Sequence, residues 1–139
     1  MKFNQEQLEA LERTTKVVYK EMMRIYCDSS TKEACLVIEG QPPIITPYPA
    51  PVTNNVGEYQ AVILALEEAK QQEVNQVDIL TDSQLVVEQI GGHWACRQEH
   101  LKVLRKRVWE LVRNLDFNGV VCNINWIPRE ENLAGKVLG

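Results

Sequence analysis

Between residues 24 and 55 the sequence runs RIYCDSS, then EACLVIEG, then QPPIITPYPAPVTNN. The first run alternates and breaks at polar residues, as a strand entering a turn does. The second follows after the tight link Ser29–Lys32. A link that short suggests an antiparallel hairpin, because a parallel return needs a long crossover. The third run is studded with prolines, which lack the ladder N–H. It can hold an edge strand near Ile44 and Ile45, and the rest is loop.

The period then changes. VGEYQAVILALEEAKQQ sets Tyr59, Val62, Ile63, Leu66 and Ala69 on one helical face. VDILTDS is a buried strand ending in an acid and a cap, and SQLVVEQIGG is a short helix stopped by two glycines. Residues 98–115 form an amphipathic helix with Leu101, Leu104, Val108, Leu111 and Val112 inward. GVVCNINWIP is the last strand, and a closing helix follows. Three strands in a meander and two that return through helices predict an α/β domain. Its sheet has five strands and is mixed, with helices on its faces. Ligands of such sheets collect at the carboxyl ends of parallel strands and at switch points in strand order.

Residues 4–22 are expected to form a further helix, capped by Asn4, with Leu8, Leu11, Thr15, Val18 and Met22 along one stripe. The chain thus divides into an N-terminal helix, 1–23, and a main domain, 24–139. At 139 residues it can bury one real core. No apolar run is long enough for a membrane span, and MKFNQEQLEA lacks the apolar centre of a signal peptide. A cytoplasmic, monomeric protein without a membrane partner is the expectation. Cysteines 27, 35, 96 and 122 form no CxxC pair, so zinc is poorly supported. Cys27, Cys35 and Cys122 fit small buried hydrophobes.

The net charge of −4 argues only mildly against a nucleic-acid partner, since phosphate contacts need a local basic stripe. RQEHLKVLRKR supplies Arg97, Lys102, Arg105, Lys106 and Arg107, with Arg105 and Lys106 as candidate phosphate contacts. A solvated helix face is the plainer alternative.

Three carboxylates stand where folding alone would prefer something else. Asp28 lies in an apolar strand, Asp82 directly follows another, and Glu58 sits at the start of the strongest helix, beside its apolar stripe. Each has a plain alternative: Asp28 opening a hairpin turn, Asp82 as an N-cap, Glu58 as a first-turn acid complementing the helix dipole. Together they can converge on one point, and oxygen-only ligands suit Mg²⁺ or Mn²⁺.

YCDSS, TNNVGEYQAV and ILTDSQLVVEQI resemble, in order, the three acidic motifs of type 1 ribonuclease H. GGHWACRQEHLKVLRKRV and WIPREEN are similar to the family's later segments, and the likeness covers roughly residues 24–139. The resemblance implies a ribonuclease H-like fold, three antiparallel strands and then two parallel ones. It also implies a two-metal endonuclease cutting the RNA strand of an RNA–DNA hybrid. Asp28, Glu58 and Asp82 would carry Mg²⁺, with Mn²⁺ as substitute. Asn54, Asn55 and Gln84 match positions that meet the hybrid through its minor groove, where short amides suit 2′-hydroxyls. A catalytically inactive nucleic-acid-binding module of the same fold is the competing class.

The family's fourth acid is missing. Its register falls on Lys136, which cannot bind Mg²⁺ while protonated. Asn132 lies one helical turn earlier on the same face and is expected to stand in as a neutral oxygen ligand. A simple helix cap is its other reading, and Glu131 is a weaker substitute.

Overall fold

The computed structural model describes residues 2–10 and 22–139. Residues 5–10 are helical and begin as expected, with Asn4 as cap: the Gln7 backbone N–H donates to Asn4 Oδ1 (2.8 Å), and the Asn4 N–H donates to Gln7 Oε1 (3.0 Å). Of the expected stripe, Leu8 and Met22 are exposed. Leu11, Thr15 and Val18 lie outside the described residues.

The main body follows the expected order. Strands β1 (Met23–Ser29), β2 (Glu33–Ile38) and β3 (Ile44–Pro47) come first, then helix α1 (Asn54–Gln71). Strand β4 (Gln76–Thr81), helices α2 (Gln84–Ile90) and α3 (Glu99–Phe117), strand β5 (Val121–Trp126), a 3₁₀ turn (Arg129–Glu131) and helix α4 (Leu133–Leu138) complete it. The sheet order is β3-β2-β1-β4-β5. The first three strands pair antiparallel, and β4 joins β1 and β5 in parallel. Strand β1 is therefore central, and it is where the sheet switches from antiparallel to parallel pairing.

Burial follows the alternation seen in the sequence. Ile25 and Cys27 of β1, and Val77 and Ile79 of β4, are fully buried against Tyr59, Val62 and Leu66 of α1. Helix α3 adds Leu101, Val108, Leu111 and Leu115 to the same core. Ser29 faces α1 at Gly57, whereas its neighbour Asp28 faces α4 at Gly135. Successive side chains of a strand point to opposite faces, so α1 and α4 cover the sheet from opposite sides. All four cysteines are free thiols; Cys96 is buried along with Cys27 and Cys35, and Cys122 is half-buried. No helix among the described residues is long and apolar enough to cross a membrane.

Candidate active site

Strands β1 and β4 run parallel and end side by side, with Asp28 near the end of one and Asp82 just past the end of the other. Helix α1 brings Glu58 to the same point. Asp28, Glu58 and Asp82 each offer a carboxylate oxygen, and the three oxygens lie within 4.8 Å of one another.

Local structure removes the plain alternatives for these acids. Asp28 is not in the turn: it pairs with Cys35 inside the ladder, and Ser30 Oγ accepts from the turn amides of Lys32 and Glu33. Asp82 is not the cap, because Ser83 Oγ caps α2 through the Val86 N–H (3.3 Å). Glu58 is not in the first turn: α1 starts at Asn54, with Thr53 as its cap, so Glu58 is the fifth helical residue. None of the three is where it is for the sake of its own element.

Metal-free, the cluster is electrostatically strained. Burial raises the Glu58 carboxyl from its ordinary 4.5 to about 8, helped by the negative charges of Asp28 and Asp82. Burial also raises Asp28, followed by the charge of Asp82. The Glu58 and Asp28 carboxyls also act on each other directly, which raises Glu58 further and draws Asp28 down. Glu58 Oε2 is buried with no hydrogen-bond partner. An orphaned carboxylate oxygen among three converging acids fits an oxygen-seeking divalent cation.

A pH dependence follows. The folded protein keeps the Glu58 proton up to about pH 8, while the unfolded chain releases it near 4.5. This contribution to stability is complete below the lower value and is lost as pH rises through the upper one. The metal-free protein should therefore melt at progressively lower temperature as pH is raised from about 5 to 9, and Glu58→Gln should flatten that slope. An undiminished slope in the variant would assign the titration to another group.

Arg129, in the 3₁₀ turn, is a cation that the sequence reading passed over. Its charge pulls the carboxyls of both Asp28 and Glu58 downward, so it lies toward the cluster. Lys136, which occupies the register of the absent fourth acid, is exposed on α4. Trp126, at the end of β5, donates its indole N–H to the Asp82 carbonyl (3.2 Å) and so ties that residue's backbone to the neighbouring strand. Nothing in its local sequence signals this, since the contact spans 44 residues.

Asn132, expected as a neutral fourth ligand, has both ends of its amide committed within the protein. It is fully buried, accepts from the Ala134 N–H (3.2 Å) as the cap of α4, and donates to the Cys27 carbonyl (3.0 Å). The geometry is that of a cap and brace between α4 and β1. Glu130 and Glu131 are exposed in the 3₁₀ turn.

The candidate substrate-binding residues divide. Asn54 and Asn55 open α1, and Gln84 opens α2, all three exposed beside the acids. Asn55 lines a hollow of about 330 Å³ with Gln89, Arg97 and Gln98. The cations of the basic stripe have different surroundings. Arg105 lies over the Trp109 ring at 4.5 Å with its Nε buried and unpartnered. Lys106 is exposed, Arg107 pairs with Glu67 of α1 (3.5 Å), and Lys102 pairs with Glu99 (2.9 Å). Of these cations, Arg97 is the one that shares the hollow with Asn55.

Comparison with known proteins agrees with this architecture. The family described as reverse transcriptase-like matches residues 45–138. Ribonuclease HI of Halobacterium salinarum is 36% identical over 86 residues, which cover 62% of this chain and 41% of that protein. A bifunctional protein of Mycobacterium tuberculosis is 35% identical over 80 residues, 58% of this chain; the matched part spans only 21% of that relative's length. Among solved structures, RNase H1 of Halobacterium salinarum superposes with a TM-score of 0.70 at 27% identity, covering 85% of this chain and 94% of that one. LC11-RNase H1, solved in complex with an RNA/DNA hybrid, superposes with a TM-score of 0.64 at 20% identity over 85% of this chain and 99% of that one, a likeness of fold alone. With its five-stranded mixed sheet, its matched profile and these relatives, the chain belongs to the ribonuclease H family, in its reverse transcriptase-like group, and has the type 1 ribonuclease H fold.

Proposed function

We propose that this protein is a divalent-metal-dependent endonuclease that hydrolyses the RNA strand of RNA–DNA hybrids, leaving 5′-phosphate and 3′-hydroxyl ends. The observation that carries the proposal is the meeting of Asp28, Glu58 and Asp82 at the ends of two parallel strands, with Glu58 Oε2 buried and partnerless. The hybrid held by LC11-RNase H1 supports the choice of substrate.

Asp28, Glu58 and Asp82 would hold Mg²⁺, with Mn²⁺ as substitute. Bound there, a pair of such ions supplies Lewis acidity and charge neutralisation for in-line hydrolysis of a phosphodiester. The protein's own part is positioning and charge. To hold a cation Glu58 would have to release its proton, so that all three acids would act as anions. The Trp126 tie fixes the backbone of Asp82, and Asn132 braces the strand immediately before Asp28. Arg129 contributes positive charge at the edge of the cluster, where a non-bridging phosphate oxygen would lie. Asn54, Asn55 and Gln84 offer amides to the minor groove, and Arg97 offers a phosphate contact beside them. In this reading three acids suffice and Asn132 is a brace. A cytoplasmic, monomeric protein, with an N-terminal segment set apart from the main domain, belongs to the same proposal.

The test is cleavage of an end-labelled hybrid. With Mg²⁺, fragments should come from the RNA strand alone and carry 5′-phosphates, and EDTA should stop the reaction. Cleavage that persists in EDTA would sink the metal assignment. Tight hybrid binding without cleavage in Mg²⁺ or Mn²⁺ would establish the inactive module instead.

A further inference from the structure

Two of the three acids have neighbours in the chain that meet at a single hydroxyl. Ser29 directly follows Asp28, and Gly57 directly precedes Glu58. The Tyr48 hydroxyl lies 2.7 Å from Ser29 Oγ and donates to the Gly57 carbonyl at 3.3 Å. Tyr48 comes just after β3, and its own backbone is fixed by its N–H donating to the Lys32 carbonyl (2.9 Å). Each hydroxyl carries one proton, so the bridge runs from Ser29 Oγ donating to Tyr48 and Tyr48 donating to the Gly57 carbonyl, with the Ser30 carbonyl oxygen, 2.6 Å from Ser29 Oγ, as the competing acceptor.

The approach of β1 to α1 here is as close as it can be. A Cβ at Gly57 would sit 2.5 Å from Ser29 Oγ and 3.2 Å from the Ser30 carbonyl oxygen. Glycine at 57 lets the helix backbone come that near, and the phenol then joins the two chains. A phenol keeps its proton at neutral pH, so the donation to Gly57 persists across the working range.

We propose that Tyr48 is a positioning residue for the metal site: through Ser29 and Gly57 its hydroxyl sets the spacing between the carboxylates of Asp28 and Glu58. By this reading Tyr48 acts through Ser29 and Gly57 and does not touch the substrate. Three carboxylates that repel one another need an external constraint to stay close enough to share a cation. The bridge supplies it from the chain on either side of the pair, at β1 and at α1. The inference rests on the three-acid reading of the site.

The test uses Tyr48→Phe, which keeps the ring and removes the oxygen, and Ser29→Ala, which removes the other half of the bridge. Binding of Mn²⁺ is followed by electron paramagnetic resonance of the free ion, without substrate, alongside hybrid cleavage. Each variant should need about tenfold more Mn²⁺ for half-occupancy, a change of about 1.4 kcal/mol. Each should also lose turnover while the KM for hybrid stays within about twofold. The double variant should be no worse than either single one, because both cut the same link. Mn²⁺ titrations that superimpose on the parent's, with only the melting temperature lowered, would reduce the bridge to a loop brace and overturn the inference. Asp82→Asn separates the two levels. If the parent takes up Mn²⁺ no better than Asp82→Asn, the three-acid reading fails and takes the inference with it. If Asp82→Asn loses the ion and Tyr48→Phe does not, the inference alone fails.

Discussion

Asp28→Asn is expected to lower hybrid cleavage at least a thousandfold while leaving the fold intact and the metal-free protein more heat-stable. The loss of rate corresponds to about 4 kcal/mol of barrier. It arises because a neutral amide removes one of three charges that would hold the cation, and the amide N–H₂ turns a donor toward it. The gain in stability has the opposite root. Asp28 is half-buried within reach of Asp82 and Glu58, and burial together with the Asp82 charge raises its carboxyl. Removing one member of a repelling set relieves the other two. Parallel measurements of turnover in Mg²⁺ and of thermal melting in EDTA give both signs in one variant. Activity within about tenfold of the parent, a change of only about 1.4 kcal/mol, would remove Asp28 from the site.

Asn132→Ala is expected to produce the second large effect, this time on stability. The substitution leaves the Ala134 N–H without its cap, a loss of about 1 kcal/mol. It also strips the buried Cys27 carbonyl of its side-chain donor, which costs roughly 1–3 kcal/mol. The sum, about 2–4 kcal/mol, is a large share of the stability of a domain this size. Asn132→Asp is the sharper experiment. The acceptor for Ala134 survives, but the donor to Cys27 is lost and a negative charge is buried one residue's width from Asp28, since both side chains border Gly135. The metal-free variant should therefore be at least as unstable as Asn132→Ala at neutral pH. Urea unfolding in EDTA, with turnover in Mg²⁺ alongside, distinguishes the two readings of Asn132. If Asn132→Asp matches the parent in stability and exceeds it in rate, the residue is a ligand position after all.

Much of this architecture was legible because it is local. Alternation in RIYCDSS and EACLVIEG, the tight Ser29–Lys32 link and the prolines around Ile44 specify three antiparallel strands before any packing is considered. Helical periodicity from Tyr59 to Ala69 and from Leu101 to Val112 supplies the crossovers that make the later strands parallel. The acids were conspicuous because each breaks an apolar pattern, and the structure brings them together. What the sequence withheld depends on contacts between distant segments. Tyr48 reads as one more residue in a proline-rich loop until its hydroxyl is seen at Ser29. Trp126 reads as a strand end until its indole meets Asp82. Arg129 lies next to two acids in the chain, Glu130 and Glu131, and looked like ordinary surface charge. The surroundings of the basic helix were hidden for a related reason: charges adjacent in sequence point in different directions around a helix, so Arg105 turns onto Trp109 while Arg107 turns toward Glu67.

The central place of β1 has a consequence for motion. Its backbone is bonded to β2 on one side and β4 on the other, and its flanks are covered by α1 and α4. Amide hydrogens around Cys27 and Asp28 should exchange with solvent only through global opening, on the slowest timescale the molecule offers. Asn54, Asn55 and Gln84 stand at exposed helix starts, where the first amides lack intrahelical partners and exchange readily. Rigidity is thus graded across the site. Asp28 sits on the part of the molecule that yields last, and the residues proposed to meet the substrate sit on the part that yields first. A deuterium-exchange map of the unliganded protein would show this as a steep boundary between neighbouring segments, and the boundary should flatten when a helical nucleic acid occupies the face.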